Sequence, residues 1–444
     1  MAAPRNSPFL PSRRGFIKIW LGAAGGLAIG RMLPVHAEGG LVTFQPNPFV
    51  IITPDDIVTI IVKHLEMGQG IETGLAMLVA DEMDAARAQI RTRFAPTDAS
   101  RFHNLLAHGL QATLASTSMA NAFLQYRHAG AIARAMMVGA AAKYWGIARG
   151  HVKVAAGQLI SVRGHRASFG AMAARAAALE MPIAVDLKRR DEFVFVGRSF
   201  KRLDTPAKCN GSAVYAADIK REAMLVAVVA RPERFGGRAM QVDEGAARAV
   251  PGVVAIVPIS RGIAVVAETS WAAIKAKRLL KITWNDTDAE IRSSSEIMAH
   301  HADLAGKPGV VIREDGDIDA AAKGAATVIQ ADFHFPYLAH TPMETLDLVL
   351  EQAGGRARLW VASHVPGIDQ ANVAFELGIA SHEVEVITVY AADPSVAGRP
   401  STAMRPLRRP RSSRRWGRSG RSSSCGPGKT TSKAVTIDRP RCTG

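Results

Sequence analysis

The stretch IIVKHLEMGQGIETGLAMLVADEMD, residues 60–84, changes its periodicity half-way along. It is entered through Val58-Thr59-Ile60-Ile61-Val62, a β-branched run that reads as a buried strand. It leaves through residues 74–86, whose apolar positions recur at helical spacing. The join, Glu66-Met67-Gly68-Gln69-Gly70-Ile71-Glu72-Thr73-Gly74, is a glycine-rich turn from strand into helix. Glycines let backbone amides come close to a phosphate or a flat ring, and the unpaired N–H groups of a helix start favour anions. The same residues also suit a turn that only redirects the chain, and their chemistry alone leaves both readings open.

Outward from this stretch, residues 46–94 read as strand, helix, strand, with a second helix over 119–144. Its run Ala129-Gly130-Ala131-Ile132-Ala133-Arg134-Ala135-Met136-Met137 is apolar nearly all round, which implies burial. A short helix over 169–179 leads to Pro182, and charged, irregular sequence follows over 188–201. A new unit opens at Arg202-Leu203-Asp204-Thr205-Pro206. It carries short strands at 224–229, 253–257 and 263–266 and helices near 244–250 and 271–280. A third unit begins near Ala326 and breaks off at Tyr390. The mixture is α+β rather than a regular βαβ alternation.

A chain of 444 residues with 48% hydrophobic content can bury several cores. The formal charge of +16 suggests a nucleic-acid partner only until it is located along the chain. Residues 1–37 hold five Lys/Arg and no acids, residues 393–444 hold thirteen against two, and the remainder balances at 37 against 37. The body is neutral, so no nucleic-acid partner is expected, and a basic-tail binder is the weakest reading. Cys209, Cys425 and Cys442 are too few for a disulfide framework or a Cys-rich metal or iron-sulfur site.

Ser12-Arg13-Arg14-Gly15-Phe16-Ile17-Lys18, the apolar run from Trp20 to Ile29, and Val35-His36-Ala37 have the layout of an export signal over residues 1–37. Paired arginines before a modest apolar region suit the twin-arginine pathway, which exports folded, cofactor-loaded cargo; an ordinary secretory signal is the alternative. Either way a periplasmic location is expected. Two further groupings stand out. His108 to Ser118 places Gln111, Thr113, Ser116 and Ser118 ahead of the long helix, where hydroxyls cap the helix and can also donate to phosphate. His340-Thr341-Pro342-Met343-Glu344 sets a His and a carboxylate about a Pro, an arrangement more often structural than ligating. No H-E-x-x-H, nucleophile elbow or P-loop is present.

Taken in order, these segments resemble the xanthine dehydrogenase and aldehyde oxidase family, in the molybdopterin-binding (beta) subunit of the isoquinoline 1-oxidoreductase type. The resemblance covers residues 47–390 and rests on the 60–84 stretch, "STSMANA", "RLDTPAKCNGSAVYAAD", "AVVARPERFGG", "AVPGVVAIV", "GIAVVAETSWAAIKAKRLLKITW" and "YLAHTPMETLDLVL". It implies a multi-domain large-subunit fold: a molybdopterin-binding lobe over 45–195, a hammerhead-like α/β domain over 196–300, and the start of a second molybdopterin-binding domain over 325–392. It implies hydroxylation of an N-heterocycle or aldehyde, with oxygen from water, at a molybdenum held as the molybdopterin cytosine dinucleotide. Electrons would leave through an iron-sulfur (alpha) subunit and a cytochrome c. Gly68, Gln69 and Gly70 match the family's pterin loop; Gln111, Thr113, Ser116 and Ser118 match a second cofactor loop; His340 and Glu344 match a segment near the molybdenum pocket. Relatives usually carry paired glycines where this chain has Leu114-Ala115, so backbone approach there is in doubt.

The basic tail over 393–444 lacks apolar periodicity, and no packed element is expected in it. A natural disordered tail is one reading; a lost base is the other. Residues 393–398 can be encoded GAT CCT TCG GTC GCC GG. With a preceding G, this becomes GGA TCC TTC GGT CGC CGG, or Gly-Ser-Phe-Gly-Arg-Arg. The same shift over 424–439 permits Leu-Trp-Thr-Arg-Glu-Asp-Asp-Ile-Gln-Gly-Gly-His-Tyr-Arg-Pro. Both are family motifs in the expected order, which points to a single-base loss near Ala391. The expectation is a truncated, inactive chain whose general-base Glu belongs to the part out of frame. A non-catalytic assembly protein that binds the iron-sulfur subunit is the alternative.

Overall fold

The computed structural model describes residues 35–36, 42–338, 343–391 and 433–438; most of the export signal, His340 and residues 393–398 lie outside them. Two compact units emerge: Met1–Ile61 with Leu75–Arg93 and Phe123–Lys201, and Val62–Gly74 with Phe94–Ala122 and Arg202–Gly444. The single front lobe expected over 45–195 is therefore divided. Residues 62–74 and 94–122 group with the later chain, because they bond to residues beyond Arg202.

In the first unit, strands β1 (Val35–His36), β2 (Val42–Asn47), β3 (Val50–Ile52), β4 (Val58–Val62) and β5 (Ile90–Phe94) lie in sequence order in one sheet. Val50 pairs with Ile60 and Ile52 with Val58, and all four side chains are fully buried. Helix α1 (Ile71–Met83) adds Leu75, Val79 and Met83 to the core, and α2 (Ser118–Trp145) approaches it at Gly130. A Cβ on Gly130 would lie 2.8 Å from the Val79 carbonyl oxygen, so the approach requires glycine. Buried Tyr126 donates its hydroxyl to the Ile61 carbonyl at 2.7 Å. The irregular stretch after residue 188 is ordered by two buried carboxylates: Asp81 accepts from the amides of Val194, Phe195 and Val196, and Glu82 accepts from Arg127 and the Lys188 amide. Helix α3 (Phe169–Ala177), capped by Ser168, follows the meander β6 (Val152–Ala155), β7 (Gln158–Ser161) and β8 (Arg166–Ser168).

The second unit contains β9 (Leu225–Ala230), β10 (Arg238–Asp243), β11 (Val253–Ile259), β12 (Gly262–Ala267), β13 (Lys281–Asn285), β14 (Val349–Ala353), β15 (Arg356–Val361), β16 (Val384–Thr388) and β17 (Lys433–Asp438). Seven of these form one mixed sheet in the order β11-β12-β9-β17-β14-β15-β16. β9 is apolar and buried on both faces, as a central strand must be. Helix α4 (Ser270–Leu279) packs Ala272, Ala273 and Ala276 against Val226, Val228 and Val265. The β14–β15 hairpin turns on Gly354 and Gly355, both at positive φ as a tight two-residue turn requires. Helix α5 (Pro366–Leu377) carries the chain from β15 to its parallel neighbour β16. The fold is α+β and multi-domain, with elements within a few residues of those expected. Among the described residues, no helix is long and apolar enough to cross a membrane.

A second expectation is corrected. Residues 433–438 of the tail form β17, parallel to β9 and antiparallel to β14. The β-branched core Val435-Thr436-Ile437 suffices for main-chain pairing even inside a basic, Ser-rich stretch whose composition gives no sign of it.

Candidate functional site

The glycine turn is organised by Glu66, whose side chain is fully buried. One carboxylate oxygen accepts from the amides of Gly68 at 2.8 Å and Gly70 at 3.1 Å, and the other accepts from the Glu72 amide at 2.9 Å. Three main-chain donors on one carboxylate fix the turn without water. Gly68 at φ +106° and Gly70 at φ +87° occupy backbone conformations that strain any other residue. Nothing lies within 4 Å of where a Cβ on Gly68 would be, so the outer face of the turn is open.

Two cations balance the buried acids. Arg202 donates to the Gly68 carbonyl at 2.7 Å, to Glu66 at 3.0 Å and to Asp204 at 2.9 Å. Lys208, one helical turn beyond Asp204, bridges to it at 2.8 Å. Burial pushes the Asp204 carboxyl up, but the hydrogen bonds and charges of Arg202 and Lys208 outweigh it and hold the pKa at about 2. Tyr390 donates its hydroxyl to Glu72 at 3.2 Å, and the Lys208 ammonium sits 4.9 Å from its ring centre. Burial, reinforced by the charge of Glu72, pushes the Tyr390 pKa above the ordinary tyrosine value, so the phenol keeps its proton. Oxygens of Glu66, Glu72 and Asp204 lie within 4.8 Å of one another. The protein's own Arg202 and Lys208 already stand among them.

The second predicted segment is the neighbour of this turn. Thr113 accepts from the Leu65 amide at 2.9 Å, and a Cβ on Gly74 would come within 2.6 Å of Met119. Thr113 also pairs its main chain with His364, its amide donating to the His364 carbonyl at 2.9 Å and its own carbonyl 2.6 Å from the His364 Nδ1. The structure thus brings Gly68, Gly70, Thr113 and Ser118 to one region and leaves Ser116 exposed beside Leu114 and Ala115. Several predicted side chains serve the scaffold. The Gln69 amide folds back on Leu65 and Met67, and the Gln111 amide ties Pro96 and Asp98. Ala115 at φ +51° and Ser116 at φ +54° adopt left-handed backbone without glycine; of the Leu114-Ala115 pair, only Ala115 does so. Glu344 accepts from the Ala216 amide at 3.2 Å, capping the short turn Ala216–Asp218.

A small cavity behind the two segments is lined by Lys63, His64, Gln111, Thr113, Ser363 and His364. Burial and the charge of Lys63 lower the His64 pKa to about 3, so its ring is neutral. Its Nε2 accepts from Asn121 at 3.0 Å. Burial likewise lowers Lys63 to about 7, while its ammonium donates to the His103 carbonyl at 2.9 Å. The His364 Nε2 is buried without a hydrogen-bond partner among the described residues. Sequence reasoning missed Glu66, Arg202, Asp204, Lys208 and Tyr390 as site residues. The available signal was three charges in the R-L-D-T-P-A-K motif, with Asp204 and Lys208 one helical turn apart.

Comparison with known proteins decides the family. The molybdopterin cofactor-binding domain matches over residues 29–229, and a second domain of the same description matches over residues 304–391. The chain is a molybdopterin-binding member of the xanthine dehydrogenase and aldehyde oxidase family. It is 29% identical to the beta subunit of the isoquinoline 1-oxidoreductase of Brevundimonas diminuta, over 76% of this chain and 49% of that protein. It is 31% identical to the membrane-bound aldehyde dehydrogenase (pyrroloquinoline-quinone) of Gluconacetobacter polyoxogenes, over 77% of this chain and 46% of that protein. It is 27% identical to a nicotinate dehydrogenase subunit of Pseudomonas putida, over 78% of this chain and 29% of that protein. The chain therefore spans about half the length, or less, of these relatives.

The residues present fit such a cofactor. A pterin is flat, with amide-like donors and acceptors along its edge, and its phosphate is anionic. The open face at Gly68 permits backbone approach, and the 111–118 segment, exposed over 114–116, meets the chain on either side of the turn at Leu65–Thr113 and Gly74–Met119.

Proposed function

We propose that this chain holds a molybdenum-molybdopterin cytosine dinucleotide against the 68–70 turn and the 116–118 segment, and that its lineage hydroxylates an N-heterocycle such as isoquinoline, or an aldehyde. The observation that carries this reading is the Gly68 turn, immobilised from inside by Glu66 and Arg202, open outside, and tied through Leu65 to Thr113 of the second segment. When bound, the group supplies a redox centre that takes electrons from the substrate carbon. The chain's own residues do the rest of the binding work. Glu66 and Arg202 orient the turn, the protonated Tyr390 hydroxyl donates to Glu72, and neutral His64 braces Thr113 without adding charge beneath the cofactor. Glu344 and His340 belong to the substrate side of the pocket in this reading. An iron-sulfur partner receives the electrons and passes them to a cytochrome c. Export by the twin-arginine machinery to the periplasm is supported by Arg13-Arg14 and the apolar run that follows.

The cofactor-domain match stops at residue 391, which supports the loss of one base near that codon. The test is to express two genes, the chain as given and one with a base restored after the Ala391 codon. Bound pterin, molybdenum, and oxidation of isoquinoline and of an aldehyde with an artificial acceptor would be measured for both. Turnover is expected only from the restored gene. Absence of pterin and turnover from both would sink the reading.

A further inference from the structure

We propose that Arg202 is a positioning residue that orients the Gly68–Gln69 peptide so that its N–H points outward as a donor to the pterin group. The inference rests on the cofactor reading above. Gly68 is held at both ends of its residue: Glu66 takes its amide at 2.8 Å, and Arg202 grips its carbonyl at 2.7 Å. In a trans peptide the C=O and the following N–H point in opposite directions. Drawing the Gly68 carbonyl in toward the buried acids therefore turns the Gln69 N–H away from them, on the side where Gln69 is exposed. The Gln69 side chain is occupied with Leu65 and Met67, so the main chain is what this turn presents.

Arginine suits this task for a geometric reason. A planar guanidinium can serve a carbonyl and two carboxylates at fixed angles, whereas a lysine ammonium is a single point donor. Here one nitrogen reaches the Gly68 carbonyl, a second reaches Glu66, and the Nε reaches Asp204, which Lys208 braces in turn. The motif R-L-D-T-P-A-K thereby acts across the fold on a turn more than a hundred residues earlier in the chain.

The test uses the full chain, with Arg202→Gln, Arg202→Lys and the control Arg221→Gln. Arg221 makes a comparable two-pronged bond to buried Glu351, at 2.8 and 2.9 Å, away from the turn. Pterin retained through gel filtration would be read as its fluorescent oxidation product, and exchange of the Gly68, Gln69 and Gly70 amides would be read by mass spectrometry on cofactor-free protein. By analogy with groups that orient metal ligands, Arg202→Gln is expected to lower retention by about tenfold or more, with Arg202→Lys recovering part of it. Exchange in the turn should rise in Arg202→Gln and stay at the wild-type level in Arg221→Gln. Equal retention in Arg202→Gln and wild type, or an equal loss in Arg221→Gln, would overturn the inference. Absence of pterin from both the wild-type chain and its base-restored version would sink the cofactor reading instead, and the exchange data would still decide the role of Arg202 in the turn.

Discussion

The 66–74 turn and the 111–118 segment meet at Leu65 and Thr113, but they are held in shape by different means. In the first, glycines take the positive φ values, and a buried carboxylate with a guanidinium fixes them from within. In the second, Ala115 and Ser116 take positive φ with side chains attached, in an exposed stretch anchored at Thr113 and Thr117 rather than along its length. One turn is stabilised by charge taken out of water; the other stores backbone strain that its anchors must hold. A cofactor contacting both would find a rigid wall on one side and a compliant one on the other.

Breaking the rigid side should give the largest effect. Glu66→Ala leaves three amides without their acceptor and removes one of the three groups Arg202 bonds; it should cost about 3–5 kcal/mol, read as a drop in urea midpoint. Acid should act next on the shared support. The folded pKa of His64, about 3, lies below its ordinary value of 6.5. The unfolded chain therefore binds a proton that the folded one refuses, and stability falls as pH drops from 6.5 toward 3. His64→Gln should flatten that slope in urea titrations across this window. Gly68→Ala should cost about 1–2 kcal/mol from backbone strain alone, seen as a lower melting temperature with little change in secondary structure. The compliant side should respond in the opposite sense. Ala115→Gly relieves a left-handed backbone and should stabilise the fold by about 0.5–1 kcal/mol after the entropy of an added glycine is subtracted. A loss of stability in Ala115→Gly would mean that the two loops are held alike.

Much of the secondary structure was legible because its signals are local. Val58–Val62, Ser118–Trp145 and Gly262–Ala267 announce themselves by period and composition. The turn was legible as a glycine pattern. Its clasp was not, because Glu66 finds Arg202 across 136 residues and Glu72 finds Tyr390 across 318. Helical or strand periodicity carries no record of such pairings. The division into units was missed for the same reason: residues 62–74 and 94–122 join a body assembled from sequence that follows Arg202. Gln69 and Gln111 are expected as cofactor residues from the resemblance, and their side-chain amides bond to neighbouring main chain.

Strand β17 sits between β9 and β14 and bonds to both through main chain. Because that contact reads backbone rather than side chains, the berth suits many short β-prone peptides. Vacating it would bare two raw rims at once, each a template for a foreign strand. Shortened versions of this polypeptide that end before residue 433 should then clump during expression, whatever their ability to take up a cofactor.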